Sequence, residues 1–289
     1  MKKVFLTLVL ALGVSSAFAQ TNEDDRTVGT TTSKGQVILP QAGDYAIGID
    51  AISLIESIGD HNSSIFNNHT NPIFGTGTTI YGKYFLTDKS AIRVKLSLDA
   101  TSYTDKNLVR DDAAYAKDNA TDAKVEDSRK TSNSGFGLTI GYELRRGYGR
   151  LQGYYGVEAG FSVLSKSVSY DYGNSMSRDL SVGATTTSNF DNANSGSLMT
   201  KRTTKINEGT QFGFGAGLFA GVEYFVGPKI SLGLEVGLNA GFANTGKAKT
   251  EWEYTTGGEL KTDKYETAGK SSFDLKTGYK TAFNVAFYF

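Results

Sequence analysis

The residues whose types and spacing indicate chemistry are acids and bases at alternate positions of otherwise apolar segments. In the segment Ala91 to Ala100, Arg93 and Lys95 alternate with aliphatic side chains. Residues on alternate positions of a strand share one face of the sheet. Asp50 is also predicted on this polar face, and Arg145 lies at the adjoining turn. The other ionisable residues predicted on this face are Lys83, Arg93, Lys95, Asp99, Glu143, Glu158, Glu223, Glu235 and Lys280. Such a set forms either a proton or ion path or a network of mutually paired charges.

Other patterns that could indicate a reactive or ligand-binding site are few. His61 and His69 lie beside Asp60 at a spacing that matches no tight metal motif, so solvated loop histidines are the simpler interpretation. No histidine lies on a predicted strand, which counts against a hydrolase of the Ser-His type. The glycine run Gly213 to Gly217 resembles a phosphate-binding loop, but no helix follows it. We therefore predict no enzyme activity and no catalytic, cofactor-binding or metal-binding residues.

Composition excludes several classes of protein. The 289 residues include 30 basic and 30 acidic side chains, so the formal net charge is zero and a nucleic-acid partner is disfavoured. No cysteine is present, which excludes disulfides, thiolate metal sites and cysteine nucleophiles. The 34 glycines, 17 phenylalanines and 16 tyrosines favour strands with aromatic faces. The mean hydropathy is negative, which taken alone would indicate a soluble protein.

The elements that position these residues have a period of two. Apolar and polar residues alternate in eight segments, an even number, and alternation of this kind predicts strands with one apolar and one polar face. The predicted strands are Asp44 to Ala51, Thr78 to Leu86, Ala91 to Ala100, Phe136 to Leu144, Leu151 to Val163, Gln211 to Val226, Val226 to Phe242 and Ser271 to Phe289.

The connections between these strands alternate in length. Short turns are predicted at Thr87 to Ser90, Arg145 to Arg150 and Gly227 to Lys229. Long polar loops are predicted at Glu56 to Gly75, Thr101 to Asn133, Ser165 to Lys205 and Asn244 to Lys270. Three short turns and four long loops are typical of an antiparallel eight-stranded transmembrane β-barrel, with the turns in the periplasm and the loops outside the cell.

The cost of burying charge indicates which face meets lipid. A lipid-facing Arg or Lys costs roughly 2–4 kcal/mol at the middle of the bilayer, so Arg93 and Lys95 must point into the lumen. A soluble barrel would fill its interior with the apolar face instead, but the polar face here is rich in glycine and carries only sparse charges. Outward aromatic residues predict a girdle near the short turns, formed by Tyr45, Tyr84, Tyr142, Tyr155, Tyr224, Phe287 and Phe289. A second girdle near the loops is predicted at Phe161, Phe212, Phe242 and Phe273.

The chain begins with the pattern of a secretory signal peptide over residues 1–19. Lys2 and Lys3 precede an apolar run that ends in an Ala-Phe-Ala cleavage site, and the mature chain is predicted to start at Gln20. The apolar run is too short for a transmembrane helix. Residues 20–42 are predicted to form a polar periplasmic tail, mobile in its first part, and residues 43–289 the barrel.

Two sets of residues carry a resemblance to known proteins. The alternating C-terminal residues Tyr279, Phe283, Val285, Phe287 and Phe289 resemble the assembly signal of bacterial outer-membrane barrels. The segments Gly43 to Ile55, Gly82 to Leu98 and Glu223 to Gly237 resemble small outer-membrane β-barrel proteins of Bacteroidetes. This resemblance implies a location in the outer membrane of a Gram-negative cell, contact with its lipid, and contact with the barrel-insertion machinery during biogenesis.

Function is expected in the long loops, because loops carry most binding residues. The second loop holds mixed charges, which favours solvation over a packed site. The fourth loop predicts a hairpin around Gly257-Gly258, in which Trp252 and Tyr254 either contact a partner or pair with residues across the hairpin. The long segment Leu151 to Tyr172 predicts a wall that protrudes outside the cell. We expect a cell-surface structural or interaction protein with a protein or glycan partner and a plugged lumen; the alternative is a porin-like channel for small solutes.

Overall fold

The computed structural model describes residues 30–33, 35–50, 78–177, 190 and 201–289, with the side chains of residues 50, 78 and 274–283 excluded. Its elements are β1 (Tyr45–Asp50), β2 (Thr78–Thr87), β3 (Ser90–Arg110), α1 (Asp112–Lys117), β4 (Lys124–Tyr148), β5 (Leu151–Asp171), β6 (Lys201–Gly227), β7 (Ile230–Thr245), β8 (Ala248–Thr256), β9 (Glu259–Thr267) and β10 (Lys270–Tyr288). The described part of the chain is therefore all-β apart from the six-residue helix α1.

Eight of the ten strands form a closed antiparallel ring. Its order is β1-β2-β3-β4-β5-β6-β7-β10, and β10 pairs with β1 to complete it. The remaining strands, β8 and β9, form a hairpin in which β8 pairs with the first part of β6. The ring confirms the predicted eight-stranded barrel, and the hairpin around Gly257-Gly258 is confirmed as well. No helix in the described part of the chain is long and apolar enough to cross a membrane.

Four ring strands are much longer than the alternation predicts. β3, β4, β5 and β6 have 21, 25, 21 and 27 residues, whereas about 9–11 residues span a bilayer. The length of β5 confirms the predicted protruding wall. The loop predicted at Thr101 to Asn133 was wrong, because β3 and β4 continue through most of it and leave only a short connection that carries α1. Polar residues form strands there because their backbones pair in an unbroken register from Ser90 to Arg110.

The two faces of the ring differ as the alternation predicts. On β3, Ile92 is 39% exposed whereas Arg93 is 2% exposed, so the apolar side chains point outward and the charges inward. Every predicted girdle residue of either set is exposed on the outer face. Neighbouring girdle rings contact each other, as in the pair Tyr45 and Tyr84 with centroids 5.2 Å apart.

The segment before β1 folds over the short-turn end of the ring. Ile38 is 1% exposed and packs in a cluster with Phe85, Phe225 and Tyr288. Backbone hydrogen bonds hold the segment in place, including one from the Gly43 N–H to the Phe85 carbonyl at 2.8 Å. The described residues 36–42 of the predicted polar tail therefore include a buried apolar side chain, Ile38, which forms an apolar plug at the mouth of the ring.

Candidate functional site

Glu223 on β6 is the centre of a buried polar cluster in the half of the lumen nearest the short turns. Its carboxylate accepts hydrogen bonds from the hydroxyls of Ser231 and Tyr288 and forms an ion pair with Arg145. The Lys83 Nζ lies 3.8 Å from the same carboxylate. All five side chains are buried, so strands β2, β4, β6, β7 and β10 are joined across the lumen by one carboxylate.

The ion pairs continue towards the loop end through Arg93 and Lys95 on β3. Arg93 lies 3.4 Å from the Glu143 carboxylate and 2.7 Å from that of Glu235. Lys95 lies 3.0 Å from Glu235 and 2.7 Å from Glu158. Acids and bases therefore alternate along the lumen, and each of these two cations lies between two carboxylates.

Lys83 joins the two parts, because its Nζ also lies 3.1 Å from the Glu143 carboxylate. We call the resulting set the lumen network. Its members are Lys83, Arg93, Lys95, Arg145, Glu143, Glu158, Glu223 and Glu235. With four cations and four anions its formal charge is zero, which suits buried charges because each needs a partner.

Aromatic rings fill the space around the network. The Arg93 guanidinium lies 4.0 Å from the centroid of the Phe219 ring, a cation–π contact. The Phe219 ring lies against Gly156 on the neighbouring strand, where a Cβ would come within 2.6 Å of the ring. Tyr154 lies against Gly221 in the same way. The inward glycines therefore admit large rings from the adjacent strand.

The strand pattern did not identify these rings as part of the site. Their positions have the same parity as the charges predicted on the polar face of each strand, which is the signal that could have found them. How far a ring reaches across the lumen depends on the opposite wall, which one strand does not specify. The buried inward rings are Tyr81, Phe85, Tyr154, Phe219, Phe225 and Tyr288.

Among the other residues predicted on the polar face, only Asp99 has a described side chain. Asp99 lies beyond the loop-side end of the network, where its Oδ1 accepts a hydrogen bond from the Thr101 hydroxyl at 3.1 Å. It lines a cavity of about 360 Å³ with Asn133 and Lys166. The side chain of Lys280 lies outside the described residues, as does that of Asp50.

Beyond the membrane-spanning part, the extended strands enclose a second packed cluster. Asn174 donates a hydrogen bond to the Arg110 carbonyl at 2.7 Å and accepts one from the Asp112 N–H at 2.9 Å. Arg202 donates to the Asn174 carbonyl at 2.7 Å and pairs with Glu253 at 2.6 Å. The expectation that the second loop is only solvated was wrong, since Asp112 is buried in this cluster.

Asp127 is the most buried acid of this second cluster. Its Oδ1 accepts a hydrogen bond from the Gly173 N–H at 2.9 Å. Burial raises the pKa of Asp127, while the Gly173 hydrogen bond and the charge of Arg202 lower it by less. Nearby, the Tyr172 hydroxyl donates to the Thr203 carbonyl at 2.6 Å. The outward end of the barrel therefore has its own packed polar interior.

The hairpin β8–β9 presents an aromatic surface. Trp252 stacks on Tyr265 with ring centroids 6.3 Å apart, and the Lys201 Nζ lies 3.5 Å from the centroid of the Trp252 ring. Tyr254 is opposite Lys201 on β6 and Lys261 on β9. Trp252 thus pairs across the hairpin, and a contact role for either residue remains a prediction.

Several sequence predictions fall on residues outside the description. These are the signal peptide, the loop residues Asp60, His61 and His69, and the side chains of Tyr279 and Phe283. Of the C-terminal pattern, Val285, Phe287 and Phe289 are described, and the last two are exposed on the outer face. Among the described side chains, no group of three His, Cys, Asp or Glu residues could hold a metal ion.

Comparison with known proteins adds little to this geometry. No protein-family model matches the chain, and no curated protein is similar to it. One matching solved structure is the outer membrane protein OprG from Pseudomonas aeruginosa, at 9% identity over 87% of this chain and 98% of that one. The TM-score of 0.28 is too low to support an argument.

The class of the protein follows from its own structure. A closed ring satisfies every strand edge, which a bilayer requires, and the outer face is an apolar belt between two aromatic girdles. Barrels of this kind place short turns in the periplasm and long connections outside the cell. The protein is an integral outer-membrane β-barrel.

Proposed function

We propose that this protein is a non-enzymatic surface protein that binds a partner through the part of the barrel outside the membrane, and that its lumen does not conduct solutes. The observation that carries the proposal is the lumen network. Its charges pair with one another across the interior. An eight-stranded barrel has an interior just wide enough for its own side chains.

Burial at the centre of the network and at its periplasmic end supports the closed lumen. Glu143 and Arg93 are at most 2% exposed, so little water reaches the centre. On the periplasmic side, Ile38 covers the mouth by packing on Phe85 and Phe225. A solute would have to displace both the apolar plug and the paired charges. The same pairing leaves the network acids and bases engaged with one another, which supports a non-enzymatic role.

The outward part supports an interaction role. Strands β3 to β6 continue well beyond the length that spans a bilayer, and hydrogen bonds of the packed cluster around Asn174 link the ends of this extension. The hairpin β8–β9 adds an aromatic surface formed by the half-buried Trp252 and the exposed Tyr265. A packed scaffold that presents aromatic residues suits recognition of a protein or a glycan. Insertion machinery and outer-membrane lipid are the partners that we propose for biogenesis.

The proposal is tested by combining conductance with crosslinking. The purified protein in a planar bilayer should show no large, stable conductance. In native outer membranes, a photo-crosslinker at Trp252 should capture a specific partner, whereas one at the lipid-facing position Ile140 should not. A large conductance in the intact protein, altered when β8–β9 is removed, would instead support the small-solute channel. Absence of any specific crosslink from the outward surface would contradict the interaction role.

A further inference from the structure

Strand β9 is the outermost strand of the sheet. It pairs with β8, and all nine of its residues are exposed. Among the described residues, no strand pairs with its other edge. Within the described part of the chain, the backbone donors and acceptors along that edge have no strand partner, and an unpaired edge can pair with another strand.

The turn determines which residues of β9 face the open edge. Gly257 and Gly258 both have positive φ, 60° and 82°, as a two-residue type I′ hairpin turn requires. Thr256 and Glu259 are then a hydrogen-bonded pair, and hydrogen-bonded and non-hydrogen-bonded positions alternate along the strand. The backbone groups that point away from β8 belong to Leu260, Thr262, Lys264 and Glu266. The Asp263 carboxylate accepts the Lys264 N–H at 2.7 Å, which agrees with that N–H lying outside the β8 ladder.

The edge has features that permit pairing with one kind of strand. β9 contains no proline, and its register with β8 has no bulge, so two common devices that block an edge are missing from it. The lysines of β9 disfavour pairing with most other strands, because a partner strand must place acidic side chains opposite them. The sequence of β9 itself supplies them.

Registers of antiparallel pairing between β9 and a second copy differ in charge pairing and in overlap. Centred on Lys261, Asp263 or Lys264, the pairing would place like charges directly opposite each other. Centred on Thr262, it spans the strand from Gly258 to Glu266 and places Lys261 opposite Asp263 of the second copy, twice by symmetry. These two pairs occupy non-hydrogen-bonded positions, where opposite side chains lie closest. Centring on Leu260 or Tyr265 also places a lysine opposite an acid, but only the register centred on Thr262 does so while pairing nearly the whole strand.

Symmetry determines how the two copies are oriented. The twofold axis of an antiparallel strand pair is perpendicular to the sheet. Since β8 continues the barrel wall by pairing with β6, that axis lies close to the membrane plane and inverts the second barrel. The two copies must then sit in facing membranes.

We propose that β9 binds β9 of a second copy in an opposing membrane, so that the protein tethers two membranes by self-recognition. This rests on the proposed interaction function and names its partner. The Asp263 carboxylate, which covers the Lys264 N–H in the isolated chain, turns towards Lys261 of the second copy.

The test uses the full-length folded protein in two populations of phospholipid vesicles that carry different fluorophores. Wild-type vesicles should cluster and co-sediment. Thr262→Pro removes the central outward N–H and should abolish clustering, whereas Thr262→Val keeps that N–H and should not. Heat-modifiable migration on gels verifies that each variant is folded.

The charge pairs give a second, independent readout. Lys261→Asp places acids opposite acids and should weaken clustering by roughly tenfold. The double variant Lys261→Asp with Asp263→Lys exchanges the two charges and should restore it. Wild-type vesicles that stay dispersed, or clustering that survives Thr262→Pro, would overturn self-pairing. In either case a partner crosslinked at Trp252 in native membranes would leave the broader interaction function standing.

Discussion

The last residue of the chain, Phe289, exchanges two backbone hydrogen bonds with Tyr45, the first residue of β1. The Phe289 N–H donates to the Tyr45 carbonyl at 2.8 Å, and the Tyr45 N–H donates to the Phe289 carbonyl at 3.2 Å. The C-terminal residue therefore completes the ring, while its side chain lies in the outward girdle near the short turns.

These two roles of Phe289 can be separated. Deleting Phe289 removes both its aromatic side chain and its two backbone hydrogen bonds with Tyr45. We therefore expect less of the protein in the outer-membrane fraction. Phe289→Ala keeps the backbone pairing, so insertion should fall only as far as the aromatic ring contributes to assembly. Cell fractionation and heat-modifiable migration measure both. Normal insertion of the deletion variant would count against the assembly signal.

Replacing Glu223 should destabilise the barrel strongly. Glu223→Gln leaves Arg145 and Lys83 buried with less compensating charge, and breaking a buried pair costs about 3–5 kcal/mol. Urea unfolding in lipid vesicles measures the loss. The exposed pair of Lys249 and Glu266 is the control, because Glu266→Gln should change stability by less than about 1 kcal/mol. Equal effects of the two variants would contradict the importance of the lumen network.

The apolar plug should depend on Ile38. Ile38→Ala removes a fully buried side chain, a change that costs about 2–5 kcal/mol in a well-packed core. We expect residues 30–43 to become sensitive to protease from the periplasmic side while the ring stays folded. Val37, which is exposed, is the matched control, and Val37→Ala should have little effect. Unchanged proteolysis of the Ile38 variant would argue against the plug.

The cluster outside the membrane should become more stable in acid. Because burial raises the pKa of Asp127 above its unfolded value of about 3.9, the folded state binds the proton more tightly. The stabilisation is complete below about pH 4 and is lost as the pH rises through the raised pKa. Asp127→Asn should therefore increase hydrogen-exchange protection at residues 172–174 at neutral pH. A variant that exchanges faster than wild type at every pH would contradict this.

Removing one cation and one anion of the lumen network should open a path. Arg93→Ala combined with Glu235→Ala keeps the formal charge at zero but deletes the 2.7 Å ion pair at the centre. We expect single-channel conductance in planar bilayers to rise above that of the wild type. Replacing the exposed pair of Lys166 and Glu208 by alanine should leave it unchanged. If the double variant conducts no more than the wild type, the Arg93–Glu235 pair is not what prevents conduction through the lumen.

The sequence by itself determined the eight strands of the ring, their faces and their alternating connections. The reason is local. Alternation with period two separates the residues of each strand into an apolar and a polar face, and the free-energy cost of placing charge in hydrocarbon indicates that the apolar face meets lipid. Arg93 and Lys95 were predicted in the lumen for this reason. The glycine pair at the tip of β8–β9 likewise specifies its turn through backbone conformation alone.

Only the tertiary structure decided the rest. Polar stretches such as residues 101–110 and 124–133 show no apolar alternation, since both faces meet water or polar groups, and their strands form through pairing with each other. Which acid pairs with which base, as for Arg93 with Glu235, depends on strands 142 residues apart in sequence. The packing of Ile38 into the mouth likewise depends on which strand ends become neighbours when the ring closes. The outermost position of β9 among the described strands depends on the pairing of β8 with β6.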